Sequence, residues 1–263
     1  MAPLYRYGAL PLLAALVLTT GCGPRLDLRS SSHLEALLPS SNAYPDGLTV
    51  EDLDVEEIEG VDLGGASGVG DFEHVEPAGC GAVLNGGTGP LPEGAVEGAA
   101  QTATPSGSST GSAVYGYVLV RGDFGDAPVG GTGFGDLVDT CSRMSVSMDG
   151  THLEGELTSE DSPALPEAGG MFAMTLSDSG GPGISARTAW GQVGDVYFVL
   201  VAMRTSEPSD VSPWELADAC EEHTDFDCYD SYRAEAAAEA DEQMAEDFEA
   251  VLERAVEKLE RDA

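Results

Sequence analysis

Ile184-Ser185-Ala186-Arg187-Thr188-Ala189-Trp190 and Val196-Tyr197-Phe198-Val199-Leu200-Val201-Ala202-Met203 flank Gly194-Asp195. A Gly-Asp pair between two strand-like runs marks a hairpin. The second run is apolar without a break from Val196 to Ala202, which places it centrally in a sheet. Three further strands lie just upstream. Residues 171–176 form one run, and 144–148 with 152–158 form another hairpin around Asp149-Gly150, a strong turn signal between alternating segments. In 113–121, Tyr115, Tyr117, Leu119 and Arg121 alternate with Val114, Val118 and Val120. Residues 48–55 alternate apolar and acidic side chains and read as one more strand, after the turn Tyr44-Pro45-Asp46-Gly47.

Helices flank these strands. Residues 33–38 (His-Leu-Glu-Ala-Leu-Leu) form a short one that Pro39 ends, and 77–84 form a second that carries Cys80. Residues 134–141 place Phe134, Leu137, Val138 and Cys141 on one helical face. Ser212-Pro213-Trp214-Glu215 has the residues of a capped helix start, and that helix runs to about Cys220. A long helix covers 230–262, with Met244, Phe248, Val251, Leu252, Val256 and Leu259 in one apolar stripe. Arg254, Lys258 and Arg261 lie near its end, where the helix dipole favours cations. Glycine-rich 60–70 reads as a loop. So does 85–112, whose Gly, Ser, Thr and Pro content leaves nothing to build a core from. Strands joined by hairpins, without alternating βαβ units, predict an α+β fold: a single domain with an antiparallel sheet flanked by helices.

Charge bounds the partners. The chain carries 47 acidic residues against 11 basic, a formal net charge of −36, and Lys258 is its one lysine. Nucleic acid and anionic headgroups are repelled by such a surface, so no nucleic-acid partner is expected. A solvated acidic exterior, suited to salt, is the plain reading; dedicated cation capture is the sharper one.

The N-terminus supplies an address. Arg6 precedes an apolar run over residues 8–18 that is too short to span a bilayer, for which about 20 residues are needed. Leu18-Thr19-Thr20-Gly21-Cys22 then resembles the lipobox of bacterial lipoproteins, although Thr19 stands where that family usually has Leu, Val or Ile. The resemblance implies that residues 1–21 are a leader, that Cys22 carries acyl chains, and that 22–32 are a tether to a domain over 33–262. Ordinary secretion is the alternative. On the first reading the protein is held at the cell membrane by its lipid, on the extracytoplasmic face, because two or more acyl chains anchor stably. Four cysteines remain: Cys80, Cys141, Cys220 and Cys228. An even number outside the cytoplasm implies two disulfides. Three connectivities are open; Cys80–Cys141 with Cys220–Cys228 is favoured, because the second pair can close a local loop.

Motifs for catalysis are weak. Asp178-Ser179-Gly180-Gly181-Pro182 matches the nucleophile segment of chymotrypsin-like proteases, but Ser177 replaces their leading Gly. The upstream histidines His33, His74 and His152 lack the context of a general base. Gly107-Ser108-Ser109-Thr110-Gly111 matches a nucleophile elbow without the strand-then-helix setting that elbow needs. Both read as turns or loops. His223 sits among Glu221, Glu222, Asp225 and Asp227, oxygen ligands that suit Ca²⁺, but without the glycine of the Ca²⁺ loop. It reads as a solvated acidic loop. Trp190 and Trp214 read as core or rim packing. No Cys-x-x-Cys pair, phosphate loop or dinucleotide fingerprint is present, so neither metal nor cofactor is expected, and no catalytic residue.

Leu37-Leu38-Pro39, Pro45-Asp46-Gly47, Pro77-Ala78-Gly79-Cys80, Phe134 with Leu137-Val138 and Cys141, the paired strands and the last helix follow one another in a familiar order. That order is similar to actinobacterial lipoproteins whose sensor domain resembles the extracellular part of PknH-type mycobacterial kinases. The resemblance spans residues 33–262. It implies a disulfide-braced α+β domain with a cleft that binds an envelope ligand. The Cys220–Cys228 loop, the acidic surface and the Ala-Glu stretch of the last helix depart from it. No kinase is attached, so signalling would pass through a partner. The expected function is thus a membrane-anchored, non-catalytic ligand-binding or sensory domain. A lipid or glycolipid carrier of the envelope is the alternative, and a secreted hydrolase using Ser179 a more distant one.

Overall fold

The structure is a computed structural model and describes residues 29–53, 72–84, 94–106, 112–124, 134–148, 150–178, 183–206, 211–220 and 226–263. Cys22, Ser179, the 107–111 segment, His223 and the loop at 60–70 lie outside the described residues, as does Asp149.

Ten strands form one sheet: β1 (Arg29–Ser30), β2 (Leu48–Leu53), β3 (Phe72–Glu76), β4 (Ala95–Pro105), β5 (Val114–Gly122), β6 (Met144–Met148), β7 (Thr151–Glu160), β8 (Gly170–Ser177), β9 (Gly183–Val193) and β10 (Val196–Ser206). Their spatial order is β1-β4-β5-β10-β9-β8-β7-β6-β3, with β2 also pairing β4. Every pairing is antiparallel except β1 with β4, a two-residue parallel match of Arg29 to Glu97 and Ser30 to Gly98. The end of the expected tether therefore joins the sheet edge. Among the described residues, five helices flank the sheet: α1 (Ser32–Leu37), α2 (Ala78–Leu84), α3 (Phe134–Thr140), α4 (Pro213–Ala219) and α5 (Phe226–Asp262). This is the α+β architecture the hairpins imply.

The unbroken apolar run lies where it was placed, with β5 on one side and β9 on the other. Alternate residues point to opposite faces of a strand, and here both faces are covered. Val196, Phe198, Leu200 and Ala202 pack in one cluster beneath α5, with Phe248, Val251, Leu252 and Leu259. Tyr197, Val199 and Val201 enter a second cluster on the opposite face, which also holds Cys80, Leu137 and Cys141. Gly194 takes φ 63° in the hairpin turn, a conformation that costs glycine little. All six residues of the predicted helical stripe are buried, and full burial of each such side chain contributes roughly 1.5–3 kcal/mol.

Residues 85–112 need correction. The expected loop contains β4, an eleven-residue strand inside the sheet. Its buried side chains are Ala95, Ala99, Ala100, Gln101, Thr102 and Ala103. Small residues give no hydropathic alternation to read, but they face large ones across β5: Ala99 opposes Leu119, Gln101 opposes Tyr117 and Ala103 opposes Tyr115. Volume is thus filled from the neighbouring strand. Gln101 is buried because its amide is satisfied: Tyr44 Oη donates to Oε1 at 2.8 Å, and Nε2 donates to Asp52 at 3.3 Å. The strand β3 also had no forecast.

Both expected disulfides are present, Cys80–Cys141 with Cα atoms 5.8 Å apart and Cys220–Cys228 at 6.0 Å. The first ties α2 to α3. The second ties the end of α4 to the first turn of α5. The α4 start is capped as predicted: Glu215 N donates to Ser212 Oγ at 3.3 Å, and Ser212 N donates to Glu215 Oε2 at 2.8 Å. These bonds hold the exposed Glu215 carboxyl below its ordinary value, the Ser212 hydrogen bonds being the cause. The cations near the end of α5 bind more than the dipole. Arg254 donates to the Ala43 carbonyl at 2.8 Å and Lys258 to the Leu38 carbonyl at 2.6 Å, pinning the segment after α1. Of the two tryptophans, Trp190 is buried against Phe172, with ring centroids 5.9 Å apart. It lies across Gly170, where a Cβ would come within 2.5 Å of the indole. Trp214 is 81% exposed, contrary to its reading as packing: Leu216, not Trp214, is the residue that α4 buries.

Candidate functional site

The sheet face beneath α5 runs on past the helix toward β8, β7, β6 and β3. Strand registers carry polar residues across it in rungs. Arg204 pairs with Ser185, Ser185 with Thr175, and Thr175 with Glu156. One rung over, Glu76 pairs with Ser145, Ser145 with Glu154, and Glu154 with Ser177. Residues two apart on a strand share a face, so Glu154 and Glu156 point the same way, while Leu153 and Leu157 fill the core behind them.

Of these rungs, Glu76, Ser145, Glu154, Glu156, Thr175 and Ser177 floor an open cleft of about 810 Å³, with Arg143 beside the carboxylates and Pro77 and Met144 as apolar wall. Three carboxylates, one guanidinium and several hydroxyls in one cleft can bind a polar ligand that carries positive charge. Its support is rigid. Cys80 follows Pro77 by three residues and Cys141 precedes Arg143 by two, so one disulfide closes the core under the floor. At the near border, Asp241 of α5 accepts from Ser185 Oγ at 2.9 Å and from Arg204 Nη2 at 2.6 Å. This bonding ties helix and sheet together where the cleft begins.

A third rung brings two histidines to the same region. His74 pairs with Ser147, and Ser147 with His152. His152 Nε2 lies 3.9 Å from Glu154 Oε1, with both side chains largely exposed. In sequence His74 and His152 show no ligand spacing; antiparallel pairing places them two strands apart. His33 is far away in α1. Among the described residues no three metal-ligating side chains converge. Sequence reasoning named none of the cleft residues as a site, because the signal lies in strand register and not in spacing along the chain.

Two smaller cavities accompany the cleft. One of about 430 Å³ lies beside Trp190, between α3 and the β7–β8 connection. The other, of about 270 Å³, lies between α5 and the sheet, over Tyr115 and Arg204. Nearby phenols are deeply buried. Burial raises the pKa of Tyr44, Tyr115, Tyr117 and Tyr197 well above the ordinary 10, with Asp52 adding to the effect at Tyr44 and Asp247 at Tyr115. Tyr44 and Tyr115 meet edge to face at 5.8 Å. The hydroxyls of Tyr115, Tyr117 and Tyr197 have no hydrogen-bond partner among the described residues. No helix among the described residues is long and apolar enough to cross a membrane.

No family model matches the chain, and no curated protein matches it. Among solved structures, the chain is similar to an uncharacterised protein of Mycobacterium smegmatis, an Rv0999 ortholog. The match has 14% identity, covers 82% of this chain and 97% of that one, and has a TM-score of 0.36. At that score the likeness carries no argument about fold or role.

Proposed function

We propose that this chain is a lipid-anchored, non-catalytic domain that binds a ligand or senses one on the outer face of the cytoplasmic membrane. Cys22 would bear the acyl anchor, and the role would be that of a sensor domain of the kind found in PknH-type kinases, acting through a separate partner. The observation that carries the reading is the 810 Å³ cleft, whose floor is set by strand pairing and braced from behind by Cys80–Cys141. A rigid concave surface with a few convergent polar groups is the usual form of a binding site. Its carboxylates favour a hydrophilic, cationic ligand. A carrier of lipid or glycolipid would instead need a large apolar cavity, and Glu76, Glu154, Glu156 and Arg143 are poor lining for one.

Intact mass after detergent extraction tests the address. A chain that starts at Cys22, heavier by its acyl chains and lighter by four hydrogens for two disulfides, supports it; an unprocessed chain with free thiols ends it. Native mass spectrometry tests the rest, since a carrier would retain an acyl ligand. Labelling by a serine-directed probe would move the reading to a hydrolase.

A further inference from the structure

The 270 Å³ cavity under α5 is separate from the cleft and has its own chemistry. Its lining is mixed: Leu48 on the sheet side and Ala240 and Met244 on the helix are apolar, while Asp46, Arg204, Gln243 and Asp247 are polar. Tyr115 lines it, is 1% exposed, and has a hydroxyl with no partner among the described residues. A buried hydroxyl without a hydrogen bond costs free energy, and this one borders a space large enough to supply the missing partner. At about 30 Å³ per water, the cavity holds roughly nine non-hydrogen atoms.

The charges around it have one sign left over. Arg204 is matched, because Nε and Nη2 donate to Asp241 Oδ1 at 3.1 and 2.6 Å, and Nη2 also donates to the Ala237 carbonyl at 2.9 Å. Asp247 is not. Its Oδ1 accepts from Gln243 at 3.1 Å, and it forms no ion pair among the described residues. Asp46 adds a second carboxylate at the lining. Asp247 is also close enough to Tyr115 to push its phenol further from ionisation. An anion entering here would meet two carboxylates, and a neutral alcohol would leave Asp247 unmatched.

We propose that this cavity binds a small aliphatic primary amine, with its ammonium between the Asp247 carboxylate and the Tyr115 hydroxyl and its carbon chain against Leu48 and Met244. The ammonium donates to both oxygens at once, which matches the spare charge and gives the phenol its missing partner.

The probe is n-pentylamine, with pentan-1-ol and pentanoate as controls, titrated into the full chain at neutral pH by calorimetry and by the methyl resonance of Met244. Saturable amine binding at least about tenfold tighter than either control, with the Met244 signal shifting, is expected; a tenfold change corresponds to loss of one good polar contact. Asp247→Asn and Tyr115→Phe should each weaken it by about tenfold. Tyr115→Phe should leave the thermal midpoint of the free protein unchanged or raised, because it deletes an unpaired hydroxyl. The proposal fails if the amine binds no tighter than pentan-1-ol, if Asp247→Asn leaves its affinity unchanged, or if saturation leaves the Met244 methyl unmoved. In that case the cavity holds water. None of these results bears on the cleft.

Discussion

One sheet face changes chemistry along its width. Over β9 and β10 it is dry, with Val196, Phe198, Leu200 and Ala202 closed under Leu252 and Phe248 of α5. Three strands on, over β6 and β7, the same face is wet and carries Glu154, Glu156 and Ser145. The backbone is continuous and the pairing is antiparallel throughout this stretch; what differs, among the described residues, is whether a helix lies above. A covered face must be apolar or its polar groups must be satisfied. An uncovered one is free to hold carboxylates. Stability and recognition are therefore assigned to different ends of one surface, and substitutions at the two ends should separate accordingly.

The largest expected effect is neither end alone but the link behind the wet one. Replacing Cys80 and Cys141 by serine opens a loop of 61 residues. On the chain-entropy account that costs about 4 kcal/mol, against about 2.5 kcal/mol for the 8-residue separation of Cys220 and Cys228. Urea unfolding of the two double variants measures the gap. Equal losses would mean that loop length does not set the contribution of either link, and that the two halves are braced alike.

Leu252→Ala tests the dry end. The side chain is fully buried between α5 and the sheet, and a Leu-to-Ala change in such a place costs about 2–5 kcal/mol. The urea midpoint should fall with little change in slope. A loss below about 1 kcal/mol would show that α5 contributes little to the fold, and that the dry half does not depend on its cover.

Alkali should act on the dry end and its opposite core together. Tyr44, Tyr115, Tyr117 and Tyr197 are buried, and desolvation raises each phenol above its ordinary value. The folded chain then keeps protons that the unfolded chain releases. This contribution is fully present below about pH 10 and is lost as pH rises from there toward the raised native values. Each phenol removes about 1.4 kcal/mol of stability per pH unit in that window. Spectrophotometric titration should show these four tyrosines ionising only with unfolding, apart from the others. Reversible ionisation of every tyrosine in the folded protein would refute their burial.

The dry end was also the more legible in sequence. An unbroken apolar run, the Gly194-Asp195 turn and a helical stripe are local patterns, and they correspond to β10, its hairpin with β9, and α5. β4 was not legible, because Ala99, Ala100 and Ala103 pack by letting Leu119 and Tyr115 fill the space. That complementarity exists only once β4 and β5 are paired. The cleft was hidden for the same reason. Glu76 lies far along the chain from Ser145 and Glu154 and meets them only through the register of β3 on β6, whereas a motif search sees spacing alone. Conversely, Asp178-Ser179-Gly180-Gly181-Pro182 is a nearly complete local pattern, lacking the leading Gly, but local pattern cannot say whether His74 or His152 approaches it.

At the wet end, Glu154→Gln with Glu156→Gln should scarcely change stability. The two residues lie on one face of β7, their backbone positions about 7 Å apart at two residues of strand rise. They are like charges on a chain whose formal charge is −36, and the double variant moves it to −34, one unit for each residue. Removing solvated charges of the same sign relieves repulsion, so the thermal midpoint should stay within a few degrees or rise, a change within about 0.5 kcal/mol. Binding of a cationic ligand in the cleft should weaken in the same variant. A fall in the midpoint comparable to that of Leu252→Ala would mean that these carboxylates satisfy buried donors instead of facing water. The uncovered half of the sheet would then be structural, and the contrast between its two ends would lose its functional meaning.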